Sequence, residues 1–383
     1  MQDSAQFHAS ALIIDTHADT PQRFVDEGWN FSDLLGAGML NLESAQRGNL
    51  AAEFFAIWVE PTQWRGRYAF RTLQLIDGVY EQLRKHPTTM RLGLTPADIV
   101  QAHRDGVFCA LLGIEGGHSI EADLGLLRVY HRLGVRYMTL TWANTNEWAD
   151  SSGDLNDATV QHHNGLTDFG RTVIREMNRL GMMVDVSHVS DKTFWDVLQT
   201  THAPIIASHS SARALTHSVR NLTDEQLRAV ATNNGVVMVN FYPSFIDDNW
   251  LAAWSATKPQ RERLYAIAAA PYLERGEPVP YGVPLAVDRE FYAQHPIPRA
   301  PFESLIDHFD HVAQVAGIDH VGIGSDFDGF ALLPAEIASA ADLPKITAAL
   351  LQRGYTEDQM KKLLGGNLLR VFADVQAAQE QNL

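Results

Sequence analysis

Ile13-Ile14-Asp15-Thr16-His17-Ala18-Asp19 is an apolar, β-branched run that ends in a His-x-Asp pair. Strand side chains alternate between faces, so His17 and Asp19 point the same way if the extended geometry continues, as two ligands of one ion must. One such pair after one strand says little, but the pattern recurs. Glu115 follows Ala110-Leu111-Leu112-Gly113-Ile114, and His188 follows Met183-Val184-Asp185-Val186-Ser187. His209 follows Ile205-Ile206-Ala207-Ser208, and Asp326 follows Val321-Gly322-Ile323-Gly324-Ser325. Five strand-like runs thus end in an imidazole or a carboxylate.

Working outward, eight runs read as strands: Leu12–Asp15, Ala52–Val59, Phe108–Ile114, Tyr137–Thr141, Met183–Ser187, Ile205–Ser208, Val236–Phe241 and Val321–Ser325. Helix-like stretches alternate with them, among them Tyr68–Lys85, Ala122–Leu133, Leu166–Leu180, Asp191–Gln199, Asp224–Thr232 and Phe302–Ala316. Ser190 and Thr223 stand where caps are expected, and Gly134 and Gly181 stand where helices should stop. Alternating strands and helices imply parallel pairing, and eight such units predict a closed (β/α)8 barrel rather than a doubly wound open sheet. In a barrel all strand ends of one polarity meet on one rim, where active sites of this architecture are built. The reading is a single barrel domain over residues 1–383. A polar, Pro-bearing insertion at 243–301, helical around Gln260–Ala269, forms a lid or wall over the rim. Residues 340–383 read as helices packed outside the barrel.

Composition is that of a globular chain: 383 residues, 45% hydrophobic and 20% charged, with a formal net charge of -16. That charge argues against a nucleic-acid partner, which would need a basic face. The one cysteine, Cys109, excludes an intrachain disulfide and sits in an apolar run as a buried thiol. No apolar run approaches the roughly 20 residues of a membrane span. No signal peptide is evident, and the polar start Met1-Gln2-Asp3-Ser4-Ala5-Gln6 suits a processed terminus as well as an unprocessed one. A soluble protein of the cytoplasm or the periplasm is expected.

Three imidazoles with carboxylates that can bridge suit Zn²⁺ or a similar ion, and the lack of a thiolate excludes a Cys-rich structural site. Two close ions sharing a carboxylate would lower the pKa of a water between them toward neutrality and polarise a substrate carbonyl. That is the chemistry of amide or ester hydrolysis, and it needs no Ser or Cys nucleophile. Asp326, where it is not a ligand, can take a proton from the water and pass it to the leaving amine.

Six ordered strings carry a family resemblance: Ile14-Asp15-Thr16-His17-Ala18-Asp19, Gly113-Ile114-Glu115-Gly116-Gly117-His118-Ser119, Asp185-Val186-Ser187-His188, Ser208-His209-Ser210-Ser211-Ala212-Arg213, Val219-Arg220-Asn221-Leu222 and Gly324-Ser325-Asp326-Phe327-Asp328-Gly329. Running from about residue 11 to 330, they resemble the membrane (renal) dipeptidases, zinc metallopeptidases on amidohydrolase-type barrels. The resemblance implies two zinc ions per chain, His17 and Asp19 binding one, His188 and His209 the other, and Glu115 bridging. It also implies that Arg220 holds the C-terminal carboxylate of a dipeptide, for which its forked donors are suited. Asp326 would meet the free amino group and manage protons. Substrates would be small dipeptides, L-Xaa-D-Xaa among them. Dimers are common in the family, although no residue here marks an interface.

One position departs. Animal members of the family carry His where Tyr137-Met138-Thr139-Leu140-Thr141-Trp142-Ala143-Asn144 has Trp142. That His helps bind the substrate carbonyl and its oxyanion, and indole offers only one N–H donor in its place. Loss of one oxyanion donor typically costs about 10²–10³ in rate. Trp142 therefore leaves open an altered specificity for another small amide, lactone or amino-acid derivative, or a biosynthetic or binding role. The remaining histidines read as packing or surface residues, His308, His311 and His320 included, with His118 supporting the Glu115-Gly116-Gly117 turn. Asp328 reads as fixing its own loop, and Asp15 and Asp185 as partners that orient ligand imidazoles.

Overall fold

Runs buried on both faces must pair with like runs, because a parallel strand between helices has no solvent side. The structure, a computed structural model, describes residues 4–379; Met1-Gln2-Asp3 and residues 380–383 lie outside it. Its strands are β1 (Ile13–Ala18), β2 (Leu50–Trp58), β3 (Met90–Leu92), β4 (Phe108–Glu115), β5 (Val135–Thr139), β6 (Met183–Asp185), β7 (Ile205–Ala207), β8 (Val236–Val239) and β9 (Val321–Ile323). All pairings are parallel. β1 lies between β2 and β9, and β2 pairs with β4, so eight strands close into a barrel. β3 is the extra strand: it pairs only with the start of β4, at Met90↔Phe108 to Leu92↔Ala110. The eight expected strands are these barrel strands, with shifted ends.

Alternation along the strands separates two cores. Ala52, Phe54, Cys109, Leu111, Ile206, Val236 and Met238 pack with one another inside the ring. Phe55, Ile57, Ala110, Leu112, Val237 and Val239 face outward beneath the surrounding helices. The Cys109 thiol is free and buried, and burial pushes it up to about 12.

Helix ends follow their local chemistry. Ser190 caps Asp191–Thr200 by accepting from the Thr193 N–H, and Thr223 and Gln226 form a capping box at Asp224–Thr232. Gly181, at φ +68°, ends Asp168–Leu180 in the left-handed conformation that glycine adopts at least cost.

The C-terminal region corrects one expectation. Helix Asn367–Ala377 does not merely lie against the outside. Leu368, Val371, Phe372 and Val375 join the interior cluster, where Phe372 meets Phe54 at 6.3 Å between ring centres. This helix plugs the N-terminal mouth, leaving the opposite rim for chemistry. The segment after β8 forms helices Pro243–Ile246, Asp248–Ala256, Lys258–Glu274 and Gly282–Gln294. Among the described residues, no helix is long and apolar enough to cross a membrane.

Candidate metal centre

The C-terminal ends of five barrel strands, and the turns just beyond them, carry the site's side chains to the rim. β1 brings His17 and Asp19, β4 ends on Glu115, and the turns after β6, β7 and β9 bring His188, His209 and Asp326. Backbone bonds lock the ends together: Asp326 N–H donates to His17 O at 3.0 Å, and Asp19 N–H donates to Phe327 O at 2.8 Å. His188 and Asp326 sit at φ +69° and +63°, a left-handed conformation costing about 1–2 kcal/mol for a non-glycine residue. Their neighbours hold them there. Ser152 N–H and Ser152 Oγ both donate to the His188 carbonyl, at 2.8 and 3.0 Å.

The side chains converge on Glu115. Its Oε2 lies 3.4 Å from His17 Nε2, and its Oε1 lies 2.9 Å from His188 Nε2 and 3.5 Å from His209 Nε2. One carboxylate oxygen thus faces each side of the cluster. Asp19 Oδ2 is 3.7 Å from His17 Nε2, and ligand atoms of His17, Asp19 and Asp326 lie within 4.8 Å of one another. Donor atoms of His17, Glu115 and His209 form a second group of the same size. His17, Asp19, Glu115, His188 and His209 are all buried.

Hydrogen bonds behind His17 and His209 set which nitrogen faces the cluster, whereas His188 Nδ1 is buried without a partner. The Tyr137 hydroxyl donates to Thr16 O at 3.0 Å, so toward His17 Nδ1, 2.9 Å away, it can only accept. Nδ1 then carries a proton, and Nε2 is the nitrogen that faces the carboxylates. Gly113 makes room for this: a Cβ there would lie 2.0 Å from the Tyr137 ring. His209 is set in the same way. Ser208 Oγ donates to Asp185 Oδ2 at 2.6 Å and accepts from His209 Nδ1 at 2.7 Å. Asp185 also accepts from the Ser187 and Ser208 N–H groups and from the Thr139 hydroxyl. It therefore acts on His209 through a serine rather than by touching the ring. Asp15 touches no imidazole. Its Oδ1 accepts from the backbone N–H of His17 and Ser325, pinning β1 to the turn after β9.

The charge balance asks for a cation. Burial and the neighbouring Glu115 raise Asp19 well above the carboxylate range, and burial pushes Asp326 up to about 6. Burial works against a charge on His17, yet Glu115, Asp19 and Asp326 outweigh it and push the ring up to about 10. Burial and Arg220 hold His188 down to about 3, and burial and His17 hold His209 well below its usual value. Burial opposes ionisation of Glu115, but His17 and its partner imidazoles keep it well below the carboxylate range. Neutral His188 and His209, and a His17 whose charge is held by the surrounding carboxylates, fit divalent cations bound by N and O donors. His17 Nε2 is buried without a hydrogen-bond partner, as a nitrogen reserved for an ion would be.

The other expected residues flank this cluster. Arg220 is buried; its Nη2 donates to His209 O at 3.3 Å, its Nε has no partner, and its guanidinium lies 5.2 Å from the Phe245 ring. Trp142 is half-buried, its ring 6.3 Å from that of His188 and 4.8 Å from that of Trp58. His118 Nε2 donates to Val59 O at 2.8 Å, away from the cluster. Asp328 accepts from Thr20 Oγ1 and Met39 N–H, tying its own loop. His308 is a packing residue: it is fully buried, and its Nδ1 accepts from Ala212 N–H at 3.0 Å.

Several residues at the site escaped the sequence reading. Asn240 Nδ2 donates to Asp326 Oδ2 at 3.0 Å, and it directly follows β8, so the strand-end pattern was a usable signal. Trp58 ends β2 and had the same signal. Tyr137 lies inside a strand, where only the small Gly113 opposite hints at it. Tyr281, on the segment after β8, had none.

Comparison with known proteins fits this geometry. The sequence profile of the membrane dipeptidases, peptidase family M19, matches residues 1–383. Dipeptidase tcpJ of Claviceps purpurea is 32% identical over 360 residues, 91% of this chain and 72% of that protein. A crystal structure of the probable dipeptidase PvdM from Pseudomonas aeruginosa superposes with a TM-score of 0.80 at 27% identity, covering 98% of each chain. A metallopeptidase from Rhodobacter sphaeroides, bound to a phosphinate mimic of the dipeptide L-Ala-D-Ala, gives 0.74 at 27% identity, covering 95% of this chain and 99% of that one.

Proposed function

The chain belongs to the membrane dipeptidase family and is a metallo-dipeptidase; from that premise we propose that it holds two zinc ions and hydrolyses small dipeptides, L-Xaa-D-Xaa among them. In this reading His17 and Asp19 hold one ion, His188 and His209 the other, and Glu115 bridges. The observation that carries it is the division of Glu115, with Oε2 facing His17 and Oε1 facing His188 and His209. Bound zinc would polarise the scissile carbonyl and bring the pKa of a water toward neutrality.

The chain's own residues do the rest. Arg220 meets the substrate's C-terminal carboxylate; its buried, unpartnered Nε supports this, since a buried N–H without an acceptor is costly until a ligand supplies one. Asp326 takes up a proton at its carboxylate and returns it to the leaving amine. Its elevated pKa and the single bond from Asn240 leave an oxygen for that exchange. The separation of Arg220 from Asp326 measures substrate length, which favours dipeptides over longer peptides. The Rhodobacter sphaeroides relative, liganded with a dipeptide mimic, supports the substrate class.

A second reading keeps the same centre but changes the amide. It is favoured by Trp142, an indole beside His188 where animal members have an imidazole.

A substrate panel on zinc-reconstituted protein decides between them, with L-Xaa-L-Xaa and L-Xaa-D-Xaa dipeptides beside N-acyl amino acids and lactones. Dipeptide turnover with two zinc ions per chain is expected. Metal-loaded protein that turns over only the non-peptide amides would establish the second reading, and protein binding no metal would sink both. Asp326→Asn should nearly abolish turnover with metal retained, whereas Arg220→Ala should chiefly raise KM.

A further inference from the structure

We propose that Tyr281, carried by the segment after β8, is a substrate-contacting residue that accepts a hydrogen bond from the free amino group of a bound dipeptide, and so selects substrates with an unblocked N-terminus. This rests on the dipeptidase reading above and adds a residue that the strand-end pattern does not contain.

Three rings run in sequence from the metal centre to Tyr281. Trp142 stands 6.3 Å from the His188 ring, Trp58 lies 4.8 Å from Trp142, and Tyr281 meets Trp58 edge-on at 5.5 Å. The Tyr281 hydroxyl donates to Asp328 O at 3.2 Å, on the loop that also carries Asp326. That loop is pressed against the carboxylates: a Cβ on Gly329 would lie 2.1 Å from Asp326 Oδ1 and 2.6 Å from Asp19 Oδ2. The phenol therefore stands at the acidic end of the site. Burial, together with Asp19, Asp326, Glu115 and Asp328, raises the phenol well above its usual value, so it is a neutral hydroxyl under working conditions. Having given its single proton to Asp328 O, it keeps lone pairs that can only accept. An ammonium is the donor this acidic end lacks, and the adjoining aromatic faces favour a cation as well.

The residue is also held in place. Tyr281 N–H donates to Asp26 Oδ2 at 3.0 Å, Asp26 in turn pairs with Arg71 at 2.7 Å, and Val279 N–H donates to Gln63 Oε1 at 2.6 Å. These contacts anchor this part of the segment to the barrel. Cavities of about 60 Å³ and 190 Å³ lie on either side of Tyr281, the first lined by Trp58 and Gln22, the second by Asp328 and Arg289.

The test uses two phosphinate dipeptide mimics, one with the free amino group and one without it, titrated by calorimetry into zinc-loaded wild type and Y281F. Wild type should prefer the amino mimic. Y281F should lose about tenfold of that preference, the worth of a hydrogen bond to a charged group, while binding the des-amino mimic as before. KM for dipeptides should rise by a similar factor with kcat changed less than about threefold. A structural role would weaken both mimics alike, so an equal loss for the two, or no loss, overturns the proposal. Wild type that binds neither mimic would overturn the dipeptidase reading, and this inference with it.

Discussion

The rim of the barrel and the segment after β8 supply walls to the same site but are built differently. At the rim the donors stand at or just beyond the ends of strands buried on both faces, and two of the imidazoles are hydrogen-bonded from behind, His17 by Tyr137 and His209 by Ser208. In the segment, helix Lys258–Glu274 buries only Ala269 and helix Gly282–Gln294 only Phe291, while Leu264, Ile267 and Leu273 stay exposed. The segment touches the site at a few points, chiefly Phe245 and Tyr281. From the difference we propose a division of labour: the ladder of strands positions the ligands, and the segment shapes what enters. If so, damage to the rim should register in the metal, and damage to the segment should register in the substrate.

The largest expected effect tests the joint between them. His308, on helix Phe302–Ala316 directly after the segment, accepts from Ala212 N–H in the loop that leads to Arg220. Burial holds His308 down to about 4 from an ordinary 6.5. Its folded pKa is thus below its unfolded one, so between about pH 6.5 and 4 the unfolded chain binds a proton that the native chain refuses. The stability this group contributes is full above pH 6.5 and falls as pH drops, by about 1.4 kcal/mol per unit and about 3 kcal/mol in all. Denaturant unfolding at pH 7 and pH 5 should show a smaller loss in His308→Asn, whose amide oxygen can still accept from Ala212. Equal losses in the two proteins would mean that the neutral imidazole does not hold the loop.

Next in size is Asp185→Asn, which leaves all five proposed ligands in place. The carboxylate receives four donors, and an amide can receive only at its one oxygen. Released from Asp185, the Ser208 hydroxyl can donate to His209 Nδ1, moving the ring proton to Nε2 and removing the lone pair an ion needs. Zinc affinity should fall about 10–100-fold, the usual cost of losing such a supporting partner, and a competition titration with a chelator reads it. Unchanged affinity would show that the tautomer of His209 is not set from behind, and the contrast with the segment would lose its physical basis.

The same contrast explains what could be read in advance. Strand ends are legible because burial on both faces forces an apolar run, and an imidazole or carboxylate that closes such a run lies on the rim; His17, Glu115, His188, His209 and Asp326 all stand out in that way. β3 was not legible, since Met90-Arg91-Leu92 is three residues long and carries an exposed Arg91. Helix Asn367–Ala377 could be recognised as amphipathic, but its pattern does not say whether the apolar face meets a helix or the barrel mouth. Tyr137 and Tyr281 were invisible for a related reason: each acts across a distance in sequence that only the closed fold removes, 120 residues in the case of Tyr137 and His17. The two proposed ions rest on the division of Glu115, which needs coordinates rather than spacing.

The smallest expected effect lies in the segment alone. Arg261 stacks over Trp254 at 4.0 Å and pairs with Asp288 at 2.9 Å, joining helices Asp248–Ala256 and Gly282–Gln294 through Lys258–Glu274. The ion pair is partly exposed, so it is worth little by itself; with the cation–π contact, Arg261→Ala should cost about 1 kcal/mol. In a chain of this size that is a fall in Tm of about 2 °C or less. KM for dipeptides should rise modestly, by no more than about threefold, if loosening these helices slackens the seat of Tyr281. Zinc content and affinity should not change. A variant that loses zinc along with substrate would show that the segment helps hold the metal, and the division between a rim that binds ions and a segment that reads substrate would have to be given up.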